Sequence, residues 1–340
     1  MSTYKVSQNV LNRSVLKTIN KNNYGMSPLI AGMGAGIIEN ENKIYTACSL
    51  RSAEYPNSVL CAVYAAANNM YAASVVPIAA ADTVILPAEF NEAALQEIIK
   101  DIKKAADFIG VPVVAGHTAF SDSVTVPQVS ITMLGKKEYV TENTMNKVLN
   151  TSRQSTFSNG CGLKQQEVLC GSIIMAGYAG IEGTLEIYSD KKEELTERFS
   201  ENFLGGIDNM RNRLCIKQQY ESIRYNSDVI YTQDVSESGI FGALWEMSEY
   251  LGCGMKVYLK KIGLMQETIE LCELYDINPY ILKSLGAQLI VTRSPESVIN
   301  DLAAAKIAAS VIGTVEAGND KIIINEDETR YLEPYRMPKF

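Results

Sequence analysis

The strongest constraint on the fold is an alternation along the chain: short apolar runs of strand length recur between segments with helical periodicity. Residues 43–48 read as a strand and 57–73 as an alanine-rich helix. Residues 82–86 read as a second strand, after which Asn91 can cap a helix running to about residue 108. Residues 111–115 read as a buried strand, and 129–134 as another, closed by Gly135. Strands alternating with helices predict an α/β layer architecture.

Residues 136–166 break this rhythm with Lys, Glu, Asn, Thr, Ser and Gln and little periodicity, which places a domain boundary there. The expected domains are 1–150 and 151–340. The second set starts with a strand near 168–176, a helix from about 180 and another around 215–225. A strand at 228–232, a helix at 238–250, a strand at 255–259 and a helix around 266–275 follow. A short helix after Asn278, a strand at 288–291, a helix at 295–305 and strands near 309–312 and 321–325 complete it. Ahead of the first strand, Val6, Val10, Leu11, Val15, Leu16 and Ile19 are spaced as a short amphipathic helix.

A length of 340 residues favours two cores over one, and 46% apolar against 21% charged residues is ordinary for a folded protein. The net charge of −8 opposes broad contact with a phosphate backbone, so no nucleic-acid partner is expected. The densest basic cluster, residues 256–261, is interrupted by Val257, Tyr258 and Leu259, as in a strand with one solvated face. Seven cysteines without a Cys-x-x-Cys pair, and His117 as the single histidine, argue against a zinc site and for reduced thiols. No run reaches the ~18 apolar residues of a membrane span, so a soluble, cytoplasmic protein without a membrane partner is expected.

Several positions have chemical potential beside a plainer structural reading. The glycines at 32, 34 and 36 can admit phosphate oxygens to backbone amides, or form a tight turn; the lysine of a P-loop is missing. His117 follows Gly116 where a strand exits to a loop, a usual ligand position in α/β folds, or it is a structural hydrogen-bonding ring. Asp234, Ser236 and Glu237 precede a helix and suit either its cap or an acidic site. Glu182 and Thr184 open a helix, where the dipole alone favours them. Cys48, at a strand end, reads either as a buried structural thiol or as a reactive group.

Four stretches, in order, resemble one family. They are Asn68-Asn69-Met70-Tyr71-Ala72-Ala73-Ser74 with Val76-Pro77, then Val111-Pro112-Val113-Val114-Ala115-Gly116-His117-Thr118. Next come Ala179-Gly180-Ile181-Glu182-Gly183-Thr184, and Gln233-Asp234-Val235-Ser236-Glu237-Ser238-Gly239-Ile240. Together they are similar to the superfamily of aminoimidazole ribonucleotide (AIR) synthase, the hydrogenase maturation factor HypE, selenophosphate synthetase and thiamine-monophosphate kinase. The resemblance covers roughly residues 25–335 and is strongest to the AIR synthase-related, HypE-like branch.

The resemblance implies a two-domain PurM-like α/β fold, with an N-terminal mixed-sheet dimerisation domain and a C-terminal α/β domain. It also implies a homodimer joined through the N-terminal sheets, ATP near that interface, and Mg2+ held by aspartates. Carried over by position, Asp234, Glu237 and His117 are the catalytic candidates, with Asp234 also the metal candidate. Gly34, Gly36, Asn68, Asn69, Gly116, Thr118 and Ser236 are the nucleotide-binding candidates. The implied chemistry is ATP-dependent activation of an amide or carboxamide oxygen, of synthase or dehydratase type, with another maturation or biosynthetic protein as partner.

The chain departs from the family pattern at acidic positions. Gly34 and Ala35 stand in the glycine loop, Thr46-Ala47-Cys48-Ser49 at a strand end and Asn68-Asn69 in the helix, where carboxylates are usual. Magnesium prefers anionic oxygen ligands, and phosphoryl transfer depends on that charge neutralisation. The alternative reading is therefore a non-catalytic paralogue that keeps the fold as a ligand- or protein-binding dimer. No cysteine follows Cys272 in this sequence, so the strict HypE mechanism, which uses a C-terminal cysteine, is not expected.

Overall fold

A computed structural model describes residues 6–22, 35–38, 43–89, 91–137 and 168–335. Gly34 and nearly all of the expected domain boundary lie outside the described residues. The fold is two α/β units, each built on a mixed sheet.

The N-terminal sheet runs β1 (Gly36–Ile38), β2 (Ile44–Ser52), β5 (Gln128–Lys136), β3 (Val76–Leu86), β4 (Val113–Phe120) in spatial order. Only β3 and β4 pair in parallel. A parallel pair needs a crossover, and α2 (Glu92–Ile109) supplies it, started by Asn91, whose Oδ1 accepts from the Ala94 N–H at 2.8 Å. Alternation along β2 buries Tyr45 and Ala47 beneath α1 (Ser58–Ala72) and leaves Cys48 and Leu50 exposed.

Helix α1 is buried along almost its whole length because it is pressed from two sides. The sheet lies on one side. On the other, Thr232 donates to the Ala72 carbonyl at 2.6 Å, and the Tyr71 ring stacks on Tyr220 at 5.2 Å. Ala62, Ala66 and Ala67, all 0% exposed, let both layers approach closely. One apolar cluster thus continues from α1 into Leu214, Ile216 and Tyr220 of the C-terminal half.

The C-terminal sheet has seven strands in the order β12, β11, β8, β10, β6, β9, β7. Their bounds are β6 (Ser172–Ala176), β7 (Val229–Val235), β8 (Gly254–Tyr258), β9 (Ala287–Thr292), β10 (Ala309–Glu316), β11 (Lys321–Asn325) and β12 (Glu328–Tyr331). All neighbours are antiparallel except β8 and β11. Helices α3 (Ile181–Asp190), α4 (Lys192–Arg198), α5 (Glu201–Asn209), α6 (Lys217–Ile223), α7 (Gly239–Leu251), α8 (Gln266–Leu274) and α9 (Pro295–Ala304) surround it. Core residues of α7 pack with β7, β8 and β9, while Ile223, Val298 and Leu302 pack with Ile174 and Ile290.

Three sequence expectations need correction. The strand expected at 111–115 is β4, and every residue of it except Ala119 is exposed, because it forms the sheet edge. Its apolar character states a preference for cover, not where cover comes from. Residues 8–22 are helical as expected, yet Val10, Val15 and Ile19 stay exposed, so the described residues give that stripe no partner. Helices α4 and α5 and strand β12 were not anticipated; α4 is only seven residues long, and Gly205-Gly206 weakens the helical pattern of α5. No described helix is long and apolar enough to cross a membrane.

Candidate functional site

The two halves meet at Arg51, near the end of β2 and 3% exposed. Its Nε donates to Glu182 Oε1 at 2.9 Å, one Nη donates to the Glu237 carboxylate, and the other to Ser236 Oγ at 3.1 Å. Glu182 lies in the first turn of α3, and Ser236 and Glu237 fill the turn between β7 and α7. A guanidinium suits this convergence because its planar fork presents several donors at fixed angles. Burial works to lower the Arg51 pKa, but Glu182, followed by Glu237, outweighs it and raises the value.

A second, partly buried pair lies beside the first. Lys283 Nζ donates to Glu186 Oε1 at 2.7 Å, one turn of α3 beyond Glu182. Burial raises the Glu186 pKa against the pull of Lys283, and Glu182 adds to the rise. Cys61, on α1, has its thiol pushed well above the usual range by burial and next by Glu182. Within this buried region, Glu182 Oε2 and Ser52 Oγ have no hydrogen-bond partner.

Glu237, Glu186 and Lys283 open on a cavity of about 820 Å3 whose wall also includes Tyr55, Phe241 and Ile281. The helix start beside it depends on Gly239, where φ is +65° and an added Cβ would lie 2.7 Å from the Ile281 carbonyl carbon. Only glycine lets the chain turn there against the 279–281 segment.

The expected site residues are partly gathered. Asp234 (9% exposed), Ser236 and Glu237 share the β7 exit as expected. Asn68 is committed elsewhere. Its Nδ2 donates to the Leu214 carbonyl at 2.9 Å, and its Oδ1 accepts from the Ile216 N–H at 2.9 Å. At 0% exposure, it clasps the two halves and offers no face to a nucleotide. Asn69 donates to the Ala65 carbonyl of its own helix. Gly116, His117 and Thr118 lie exposed on β4, and Gly36 lies on β1 at the opposite sheet edge. Four strand spacings, roughly 19 Å in a flat sheet, separate them in one copy. A Cβ at Gly116 would lie 2.6 Å from Asp82 Oδ1, so a carboxylate lying across it already accounts for this glycine.

Sequence reading missed Arg51, Glu186 and Lys283 and gave Glu182 little weight. The available signal was Arg51 itself, a single cation just before an alanine-rich buried helix. For a metal, no three His, Cys, Asp or Glu side chains converge among the described residues. These residues alone do not form a magnesium cage.

Residues 58–136 match the model of the AIR synthase related protein N-terminal domain, and residues 177–325 match that of its C-terminal domain. The chain belongs to the AIR synthase related protein family. It is 21% identical over 237 residues to a Methanocaldococcus jannaschii protein named for hydrogenase expression/formation. That alignment covers 69% of this chain and 62% of the relative, so it spans less than two thirds of the relative's length. HypE from a HypE–HypF complex shares the fold with a TM-score of 0.72 at 18% identity, covering 94% of this chain and 100% of HypE. HypE solved in complex with ATP gives a TM-score of 0.67 at 13% identity, covering 98% and 93%. The likeness to these structures is one of fold, and it bears out the two-domain PurM-like expectation.

Proposed function

We propose that this AIR synthase-related protein binds ATP as a homodimer and uses it to activate an amide or carboxamide oxygen, as a HypE-like maturation enzyme. The observation that carries the reading is β4. This strand bears Gly116, His117 and Thr118, yet Val114 and Phe120 on it are 61% and 60% exposed. An apolar edge of this kind calls for cover. A second copy laid on the N-terminal sheet covers it and supplies the Gly36 edge that one copy holds far away. HypE with ATP bound on the same fold supports the nucleotide, and HypE in complex with HypF supports a further protein partner.

In this reading, Gly34, Gly36, Asn69, Gly116, Thr118 and Ser236 contact the nucleotide. Asp234 is the carboxylate for a magnesium ion carried in on the phosphates, since such an ion needs only one or two protein carboxylates. His117 and Glu237 complete the reactive set. Calorimetric titration with ATP, with and without Mg2+, tests the proposal when combined with phosphate assay and light scattering on the same samples. Magnesium-dependent heat, slow phosphate release and the mass of two chains are expected. A monomer that takes up no ATP overturns the reading. A dimer that binds ATP without releasing phosphate keeps the binding and removes the enzyme.

A further inference from the structure

A second cavity, of about 480 Å3, opens just past the carboxyl ends of β6 and β8, a size that holds a small organic molecule. Tyr280 lies on its wall and stacks on Phe241 at 5.1 Å, while Phe241 faces the larger cavity beside Glu237. This ring pair separates the two spaces. Among the described residues, none of the Arg51 network or of the nucleotide reading lines the second one.

The charge on this wall runs against that of the chain. The sequence carries −8, yet among the described residues the wall has Lys260 and Lys261 and no carboxylate. Lys261 has no carboxylate partner among the described residues, and its ammonium lies 5.1 Å over the Tyr258 ring. Lys260 pairs with Glu326, which stands outside the wall. Both side chains of that pair are about two-thirds exposed, so the pair is weak and a bound anion competes for the ammonium. Arg213 adds a third cation, its guanidinium 5.6 Å from the centre of the Tyr178 ring on the wall. Charge of one sign around a recess concentrates its field on ligands of the opposite sign.

The rest of the wall is largely apolar and held in place. Tyr178, Tyr280, Leu259, Leu264 and Ile269 supply it. Ser310 Oγ donates to the Lys261 carbonyl at 2.7 Å, and the Ala179 N–H donates to the Gly263 carbonyl at 2.9 Å. The 259–264 loop is therefore tied to β10 on one side and to the turn after β6 on the other. An anchored loop lowers the ordering cost of binding. An inorganic anion satisfies the lysines and leaves the tyrosine rings wet, whereas a flat apolar body joined to the anion covers both.

We infer that this cavity binds an aromatic acid, its carboxylate or phosphate at Lys261 and Lys260 and its ring against Tyr178 and Tyr280. The inference stands on this cavity and does not depend on ATP.

The test titrates the full chain with three probes that share a phenyl ring, followed by ligand-observed NMR: benzoate and phenyl phosphate (anions) and benzamide (neutral). At least one anion should bind about ten-fold more tightly than benzamide, and the tighter of the two identifies the head group. Lys261→Gln should keep the thermal midpoint and weaken that anion about five-fold. Ile269→Glu, at a wall residue that is 38% exposed, gives a second reading and should weaken it as well. Lys256→Gln is the control, since Lys256 sits 6.0 Å over the same Tyr258 ring but is not on the wall. Its affinity should stay within about two-fold of wild type, as expected for a screened surface charge. Equal binding of the anions and benzamide, unchanged affinity in Lys261→Gln, or an equal loss in Lys256→Gln overturns the inference. Displacement of the bound anion by ATP also overturns it, because the probe then sits in the nucleotide site. Failure of ATP to bind bears on the nucleotide reading alone.

Discussion

Arg51 and Glu237 are 186 residues apart in the chain and in direct ion-pair contact, with Glu182 on the same guanidinium. The arginine comes from the N-terminal sheet and both carboxylates from the C-terminal half, so this contact fixes how the two units dock. A buried charge pair is worth little against an apolar replacement of both partners, but losing one partner is expensive.

Arg51→Met should destabilise the protein by about 3–5 kcal/mol, because it leaves Glu182 buried without its cation. Arg51→Lys should recover part of the loss, since a point charge cannot reach Glu182, Glu237 and Ser236 together. The midpoint of denaturant unfolding measures both. Equal stability of the Arg51→Met variant and the wild-type chain would remove the ion pair from the account of docking.

Asn68 makes a different prediction from a nucleotide ligand. Asn68→Ala leaves the Leu214 carbonyl and the Ile216 N–H without their partner and should cost about 1–3 kcal/mol for each group left unsatisfied. The ATP affinity of the folded variant should stay within about two-fold, well under the ten-fold that 1.4 kcal/mol represents. A large loss of affinity at unchanged stability would return Asn68 to the nucleotide site.

Glu186 gives a pH dependence with a definite sign. Its folded pKa stands above the ordinary value of 4.5, chiefly through burial, so the folded chain holds this proton more tightly than the unfolded one. Its contribution to stability is complete below pH 4.5 and is lost as the pH rises through the folded pKa. In Glu186→Gln that decline should vanish from the profile of unfolding midpoint against pH. A profile that declines as steeply as wild type would show that Glu186 titrates normally.

Thiol chemistry separates surface from core. Cys48 and Cys170 are exposed, whereas Cys61, Cys253 and Cys272 are buried. The Cys272 pKa is pushed up to about 11, and that of Cys61 well above 9.0, both by burial first. At pH 8 an aromatic disulfide reagent should modify Cys170 within minutes, Cys48 at a rate set by whether a second copy covers the N-terminal sheet, and the buried three only after denaturant is added. Peptide mapping by mass spectrometry reads this directly, and rapid native labelling of Cys61 would contradict the packing of α1.

Much of the fold was legible in order and kind. Strand β11 occupies the residues expected of it, and the Asn91 cap forms as the local pattern required. The turn at Asp234, Ser236 and Glu237 was also visible, because a strand end followed by a helix start is written in adjacent residues. Arg51 was not visible. A single arginine gives no sign of which carboxylates, more than a hundred residues away, will surround it.

The sequence by itself determined two α/β units, the order of most of their elements and the family, because periodicity, caps and ordered motifs are local and survive without knowledge of packing. Tertiary structure alone decided that Asn68 faces Leu214 and Ile216, that β4 forms an uncovered edge, and that Glu182, Glu186 and Glu237 share two cations. Those outcomes depend on which distant surfaces meet. Burial then turns each meeting into an energetic commitment, since a polar group out of water keeps whichever partner the fold brings to it.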